Sequence, residues 1–327
     1  MNLKPNIQKY QPAYVFEYPE YAEMADTQLD IFWPWNEVDV AKDKQQLLTE
    51  MTESEKHGVT TALKLFTKYE IIVGNEYWLG RVMTKFPRPE IQRMAAAFGH
   101  VELNSHAPFY NEINKELGLA TEEFYNSYIE DETLVDRMEF IDNLVSSKDD
   151  VLSLAGFSIV EGAILYSSFA FLKHFQSNSK NKLINICRGI NMSVTDENLH
   201  SLGGAALCLD LIREMEYNEE EIEEFQNKVY EFCHKVREHE HRIVDMFFEK
   251  GTMEGITCTQ MKHFVDSRIN ICLQQLNLKK LYEVSYNPVA DWFYDGINNY
   301  QFNDFFSGLG REYQRNWDES RFIWKVK

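Results

Sequence analysis

Little in this chain breaks a helix or staples a loop. Its 327 residues include only 8 prolines and 15 glycines. No stretch rich in glycine, serine or proline divides it, so one large core, or at most two domains, is expected. The five cysteines, Cys187, Cys208, Cys233, Cys258 and Cys272, are odd in number, widely spaced and form no CxxC. That argues against a disulfide framework and for a reduced, cytoplasmic protein. Basic residues are scarce: 33 Lys and Arg against 52 Asp and Glu leave a net charge of −19. Nucleic acid is therefore not an expected partner, because phosphate binding needs a basic patch. The N-terminal MNLKPNIQKYQPAYVFEYPEY has no apolar signal core. No β-alternation dominates, and neither GxGxxG nor GxxxxGKS appears, so no common nucleotide site is signalled.

What the chain has is apolar helix. Hydrophobic residues make up 44%, with 22 Phe and 17 Tyr to fill a thick core. Three- and four-residue apolar steps predict helices over 46–83, 89–117, 122–146, 149–176, 179–214, 219–249 and 254–285. Pro108 should disturb the second of these. Residues 1–45 read as an irregular arm, since Pro34 opposes a long helix there. Residues 287–327 read as loops and short helices wrapping the bundle. The nearly uncharged run from Ser153 to Phe175 is long enough to suggest a membrane span. Glu161 near its middle would be costly in lipid, so a helix buried on all sides is the better reading, and no membrane is expected.

Acids and histidines recur on these apolar helices. In TDENLHSLGG, Glu197 and His200 are three apart and share a helix face. ExxH alone is weak and often a solvated pair, but the apolar run after it argues for burial, and buried carboxylates need partners. In FGHVELNSHAPFYNEI, Glu102 and His106 are four apart. A local π-bulge would bring this spacing into line with the three-residue spacing usual in two-metal helix bundles. His100 lies before Glu102 and reads as structural or as a support to the ligands. Glu161 is the sole charge between Val151 and Leu172. Glu76, in VGNEYWLGR, supplies a sixth group. Glu70 lies on the same helix but six residues away, on a different face. Four carboxylates and two imidazoles suit a dinuclear iron or manganese centre better than structural zinc. A second cluster, His234, Glu238, His239 and His241 in FCHKVREHEHRIVDMFF, is interleaved with charge and reads as a wet helix face.

Tyr110 lies one turn beyond His106 on the same face. Beside oxidising metals its phenol can lose an electron and a proton. Otherwise it is a core tyrosine with a hydrogen bond. Leu165, Phe169 and Ile190 are candidate walls around it. Asp196 points away from Glu197 and is placed to orient a ligand histidine. Trp33, with Trp35 as runner-up, is the candidate indole for that chain.

These motifs, in this order, resemble the small, radical-generating subunit of class I ribonucleotide reductase. FWPWNEVDVAKD, NEYWLGR, ELNSHAPFY, EGAILYSSFAF and SVTDENLHSLGG carry the resemblance, with NDFFSGLGREYQR near the end. It implies an all-α, ferritin-like helical bundle with additional helices, as a single domain over 1–327. It implies metal ligands Glu76, Glu102, His106, Glu161, Glu197 and His200, and a tyrosyl radical at Tyr110. His106, Asp196 and Trp33 would relay the oxidising equivalent to a large subunit that reduces ribonucleotides to deoxyribonucleotides. The implied cofactor is a dinuclear centre, Fe/Fe first, with Mn/Fe or Mn/Mn as alternatives. A homodimer and a flavoprotein or ferredoxin activator complete the expected partners. The chain departs from the family in having Glu at 76 where many members have Asp, and in the longer Glu102–His106 step. It also stops soon after Trp324, and Tyr313 is early for the tyrosine of a C-terminal tail. The alternatives are a ferritin-like oxygenase or oxidase acting directly on a small substrate, and an iron-storage or purely structural helical protein.

Overall fold

A computed structural model describes residues 4–128 and 130–295. The NDFFSGLGREYQR segment, Tyr313 and Trp324, with most of the expected C-terminal wrap, lie outside the described residues.

The first helix, α1 (Pro19–Asp30), falls inside the segment read as irregular. Pro19 stands in its first turn, where a missing N–H costs nothing, and the helix ends four residues before Pro34. A proline that opposes a long helix thus leaves room for a twelve-residue one. α2 (Glu53–Ile71) opens on a capping box between Thr52 and Glu55 and continues without a break as a π-helix, Ile72–Val82. α3 is built in three parts: α-helix Pro89–Val101, a π-helical turn Glu102–His106, and α-helix Ala107–Glu116. In the middle part the Ala107 N–H donates to Glu102 O, a five-residue step. Pro108 falls in the first turn after it, so the expected disturbance takes the form of this π turn.

After a short turn of helix, Glu122–Asn126, come α4 (Glu132–Val145) and α5. α5 repeats the three-part design: Asp150–Ile159, a π turn Val160–Ile164, and Tyr166–Lys173. It is the stretch apolar enough to cross a membrane, and its apolar window is wholly buried inside the bundle. Then come α6 (Ile184–Glu214), α7 (Glu219–Phe247) and α8 (Cys258–Gln275). Among the described residues there is no sheet, only an isolated bridge between Met253 and Ile256.

α6 packs along the first part of α5, α1 lies on the first part of α3, and α8 packs against both α7 and α5. α2 and α3 cross closely at two glycines. A Cβ on Gly74 would stand 2.8 Å from Glu102 Cβ, and one on Gly99 would stand 3.0 Å from the Gly74 carbonyl oxygen. The absence of side chains there lets the π-helical part of α2 press against the carboxylate-bearing turn of α3.

Candidate metal centre

Six buried side chains from four helices converge at the centre: Glu70 from α2, Glu102 and His106 from α3, Glu161 from α5, and Glu197 and His200 from α6. They form two groups that share two members. Glu70, Glu102, His106 and Glu197 have ligand atoms within 4.8 Å of one another, and so do Glu102, Glu161, Glu197 and His200. Glu102 Oε2 lies 2.9 Å from His106 Nδ1, and Glu102 Oε1 lies 2.8 Å from His200 Nδ1. Glu197 likewise reaches both imidazoles, at 3.3 and 3.5 Å. Glu70 reaches only His106, at 3.6 Å, and Glu161 only His200, at 3.9 Å. Two carboxylates therefore span the centre and one sits at each end.

Five of the six residues expected from sequence meet here, and Glu76 does not. Its side chain is exposed, and Glu70 occupies the sixth place, fully buried. The reason is position around the helix. Along α2 the buried positions run Val59, Leu63, Phe66, Tyr69, Glu70 and Val73 at α-helical steps, and Glu70 lies in that stripe. Seven residues on from Glu70, Tyr77 continues the stripe with Trp78 beside it, whereas Glu76, six residues on, turns to the exposed side. In α3 helix type does bear on the ligands. The Glu102–His106 π turn brings a pair four apart onto one site, as its spacing suggested.

The polar atoms facing the centre fit metal ions. Both oxygens of Glu70 and of Glu197, Glu102 Oε1, Glu161 Oε2 and His200 Nδ1 are buried without a hydrogen-bond partner. Glu102 Oε1 and His200 Nδ1 are close but not aligned to hydrogen-bond, as expected of two donors aimed at one cation. Burial pushes the Glu70 and Glu161 carboxyls well up, reinforced by neighbouring carboxylates. Burial also opposes the charge on Glu102, but His106 and His200 outweigh it and hold its carboxyl below the usual range. For the imidazoles burial works downward, and the carboxylates overcome it, raising His106 well above its usual value and His200 to about 9. Divalent ions would supply the positive charge that protons supply otherwise.

Behind the Nδ1 atoms the far nitrogens are held as well. His106 Nε2 lies 3.0 Å from Asp196 Oδ2, and the Trp33 indole N–H donates to that oxygen at 2.7 Å. Trp33 is fully buried, and Trp35 only half-buried. His200 Nε2 lies 3.0 Å from Gln28 Oε1, whose amide in turn donates to Asp196 Oδ1 at 2.8 Å. Trp78 Nε1 donates to Glu161 Oε1 at 2.7 Å. Sequence reasoning missed Gln28 and Trp78, and it set Glu70 aside for Glu76. Gln28 continues the buried stripe of Tyr21 and Ala25 on α1 and was hidden with that helix.

Tyr110 is fully buried and donates to Ser193 Oγ at 3.1 Å. Phe66 stacks flat on it at 4.1 Å, and Phe169 packs on Phe66 at 5.3 Å. Leu165 and Ile190 are also fully buried. His100 is exposed, beside Asn104, and supports nothing at the centre. In the second histidine cluster, His241 pairs with Asp266 and His234 with the Tyr282 hydroxyl, and neither approaches the metal groups.

The fold and these two shared clusters define a dinuclear carboxylate protein of the helical-bundle class. The family described as "Ribonucleotide reductase, small chain" matches residues 13–288, and the chain belongs to it. It is a small subunit of ribonucleotide reductase with a dinuclear metal site, an oxidoreductase component that works with a large subunit. A curated relative, the probable ribonucleoside-diphosphate reductase small subunit 048L of Invertebrate iridescent virus 3, is 25% identical over 322 residues, covering 92% of this chain and 83% of its own. The fold matches a putative class I ribonucleotide reductase from Bacillus halodurans at a TM-score of 0.76 and 21% identity, over 86% of this chain and all of that one. It matches the dimanganese(II)-NrdF of Streptococcus sanguinis at 0.76 and 17%, over 86% and 96%. The R2 subunit from Clostridium botulinum matches at 0.72 and 19%, over 86% and 88%.

Proposed function

We propose that Glu70, Glu102, His106, Glu161, Glu197 and His200 hold two iron or manganese ions, that Tyr110 carries the radical, and that His106, Asp196 and Trp33 relay it outward. The observation that carries this reading is the pair of clusters sharing Glu102 and Glu197, with a continuous Nδ1–imidazole–Nε2–Asp196–Trp33 connection behind one of them. When bound, a redox-active metal pair supplies a strong oxidant at this spot. Iron in both positions is the first assignment, with manganese in one or both as the alternative, because the donor set is nitrogen and oxygen only.

The protein's own residues do the rest. Burial pushes the Tyr110 phenol well above its usual value, and the Glu70 charge adds to this, so phenolate is not available. Its proton must leave together with its electron, and its hydroxyl donates to Ser193 Oγ. The flat Phe66 stack and the surrounding apolar wall keep solvent and reductants from the radical. Asp196 accepts from the Trp33 indole and faces His106, so one carboxylate holds both ends of the relay in register. The relay leads to the large subunit, where the nucleotide is reduced. We assign the working form as a homodimer activated with help from a flavoprotein or a ferredoxin. The cytoplasm is the assigned compartment, in keeping with five free cysteines. A direct oxygenase would need substrate to reach the metals past the Tyr110–Phe66 wall.

The test is metal analysis with low-temperature electron paramagnetic resonance after oxidant activation. Two ions per chain and a tyrosyl signal are expected. Tyr110→Phe should keep the ions and lose the signal, and a signal that survives refutes the radical assignment. Ribonucleotide reduction should appear only with a matched large subunit, and oxidation of a small substrate without it would favour the oxygenase.

A further inference from the structure

The segment read from sequence as a wet helix face turns one carboxylate inward. Glu240 of α7 is fully buried against Arg137 of α4, which is itself buried. Arg137 Nη2 lies 3.3 Å from Glu240 Oε1 and donates at 2.9 Å to the carbonyl of Ile164, in the π turn that carries Glu161. From α5 the Ser167 hydroxyl donates to Glu240 Oε2 at 2.6 Å. The Tyr128 phenol also lies beside Arg137 and Glu240.

This ion pair is incompletely satisfied, and its unpaired atoms form a trail. Arg137 Nε and Nη1 have no protein hydrogen-bond partner. Neither has the hydroxyl of Tyr69, whose ring centre is 5.8 Å from the guanidinium carbon. Tyr69 feels the charge of Arg137 and also those of Glu161, Glu197 and Glu70. Toward the surface, His239 Nδ1 and Arg242 Nε are buried and unpaired as well. His239 is half-buried among Arg242, Arg137 and Asp136, and Arg242 reaches Asp136 at 3.8 Å with 40% of its side chain exposed. Buried polar atoms without protein partners are where ordered water is held. A purely structural ion pair would not need such a row on both of its sides.

We infer that a hydrated path enters at Asp136, His239 and Arg242, passes Glu240 and Arg137, and ends at the Tyr69 hydroxyl, and that it feeds protons to the metal chamber. The inference rests on the reading of that chamber as a site of oxidant activation, a reaction that consumes protons. Burial pushes the Glu240 carboxyl up to about 7 against the pull of Arg137 and Ser167, so acid and carboxylate coexist near neutrality. As the acid, Glu240 gives its proton to water on the Tyr69 side. The carboxylate left behind is held by Arg137 and Ser167 until solvent returns a proton through the His239 mouth. Arg137 keeps its charge throughout, and no electron moves.

Infrared difference spectra of the full-length, metal-free protein, titrated through neutrality, test the first half. A deuterium-sensitive protonated-carboxyl band should disappear with a midpoint near neutrality, be missing in Glu240→Gln, and move to higher pH in Ser167→Ala. Stopped-flow activation of the metal-loaded protein tests the second half. In Glu240→Gln, radical formation should slow by about tenfold or more, lose its pH dependence near neutrality, and recover with a small weak acid in the buffer. Ion content and final radical yield should stay unchanged. An absent carboxyl band, or a variant with the native rate and pH profile, overturns the proposal. If Glu240→Gln fails to fold, Ser167→Ala decides: its rate profile shifts upward in pH, or the idea fails. A wild-type protein that forms no radical would instead refute the functional reading, and the infrared titration would still judge Glu240.

Discussion

Glu102 and Glu197 each touch both imidazoles, whereas Glu70 and Glu161 each touch one. The consequences of removing them should differ accordingly. Glu70→Gln takes charge from one end only, so metal analysis should find close to one ion per chain instead of two. Glu76→Gln, on the exposed side of the same helix, should keep both ions and the native radical yield. If Glu76→Gln loses an ion and Glu70→Gln does not, the assignment of the sixth ligand is wrong. The relay predicts a different split. Trp33→Phe removes the donor to Asp196 and leaves a buried carboxylate short of one bond, at a cost of about 1–3 kcal/mol in stability. It should leave the Tyr110 signal in place while turnover with the large subunit disappears. Loss of both together would mean that Trp33 serves the fold and not the relay.

At the scale of elements, the metal centre depends on where α-helix gives way to π-helix. Three of the four ligand-bearing helices contain such a stretch, at Ile72–Val82, Glu102–His106 and Val160–Ile164. Gly74 lets the first press on the second, since a Cβ there would stand 2.8 Å from Glu102 Cβ. Gly74→Ala should therefore cost about 1–3 kcal/mol by overpacking, and it should also displace Glu102 and lower ion content. Calorimetry with metal analysis checks both, and a destabilised variant with full ion content would separate packing from the site. The same elements explain what was legible beforehand. Motif spacing read at α-helical pitch reached Glu102 with His106 and Glu197 with His200, because each pair lies within one turn and tolerates a small error of pitch, and Glu161 stood out as the sole charge in an apolar run. Spacing could not choose between Glu70 and Glu76, which lie on different faces, and the NEYWLGR motif pointed to Glu76. The apolar stripe through Leu63, Phe66 and Val73 held the better signal. Helix α1 has a different signal: Pro34 opposes only a long helix there, and Pro19, a helix-starting residue, marks the short one that forms.

For the whole molecule, the four buried acids and two imidazoles couple metal content, pH and stability. In the metal-free chain the Glu70 and Glu161 carboxyls are raised mainly by burial, and His200 is raised to about 9 by Glu102 and Glu197 against the opposing effect of burial. A raised folded-state value means the folded chain holds protons that the unfolded chain has released. For His200 that stabilisation is complete below about 6.5, the unfolded value, and is lost as pH rises through about 9. The raised acids act in the same direction, losing their contribution as pH rises past the unfolded carboxyl value. Metal-free protein should therefore weaken between pH 6.5 and 9 by an amount on the order of a few kcal/mol. Bound dications take the place of those protons, so the loaded protein should show little of this slope. Metal uptake should release protons, and affinity should climb with pH. Denaturant titrations of loaded and metal-free protein across this range, with calorimetric binding in buffers of different ionisation enthalpy, give both quantities. Parallel stability curves, or uptake without proton release, would show that the six side chains do not share their charge with a bound metal pair.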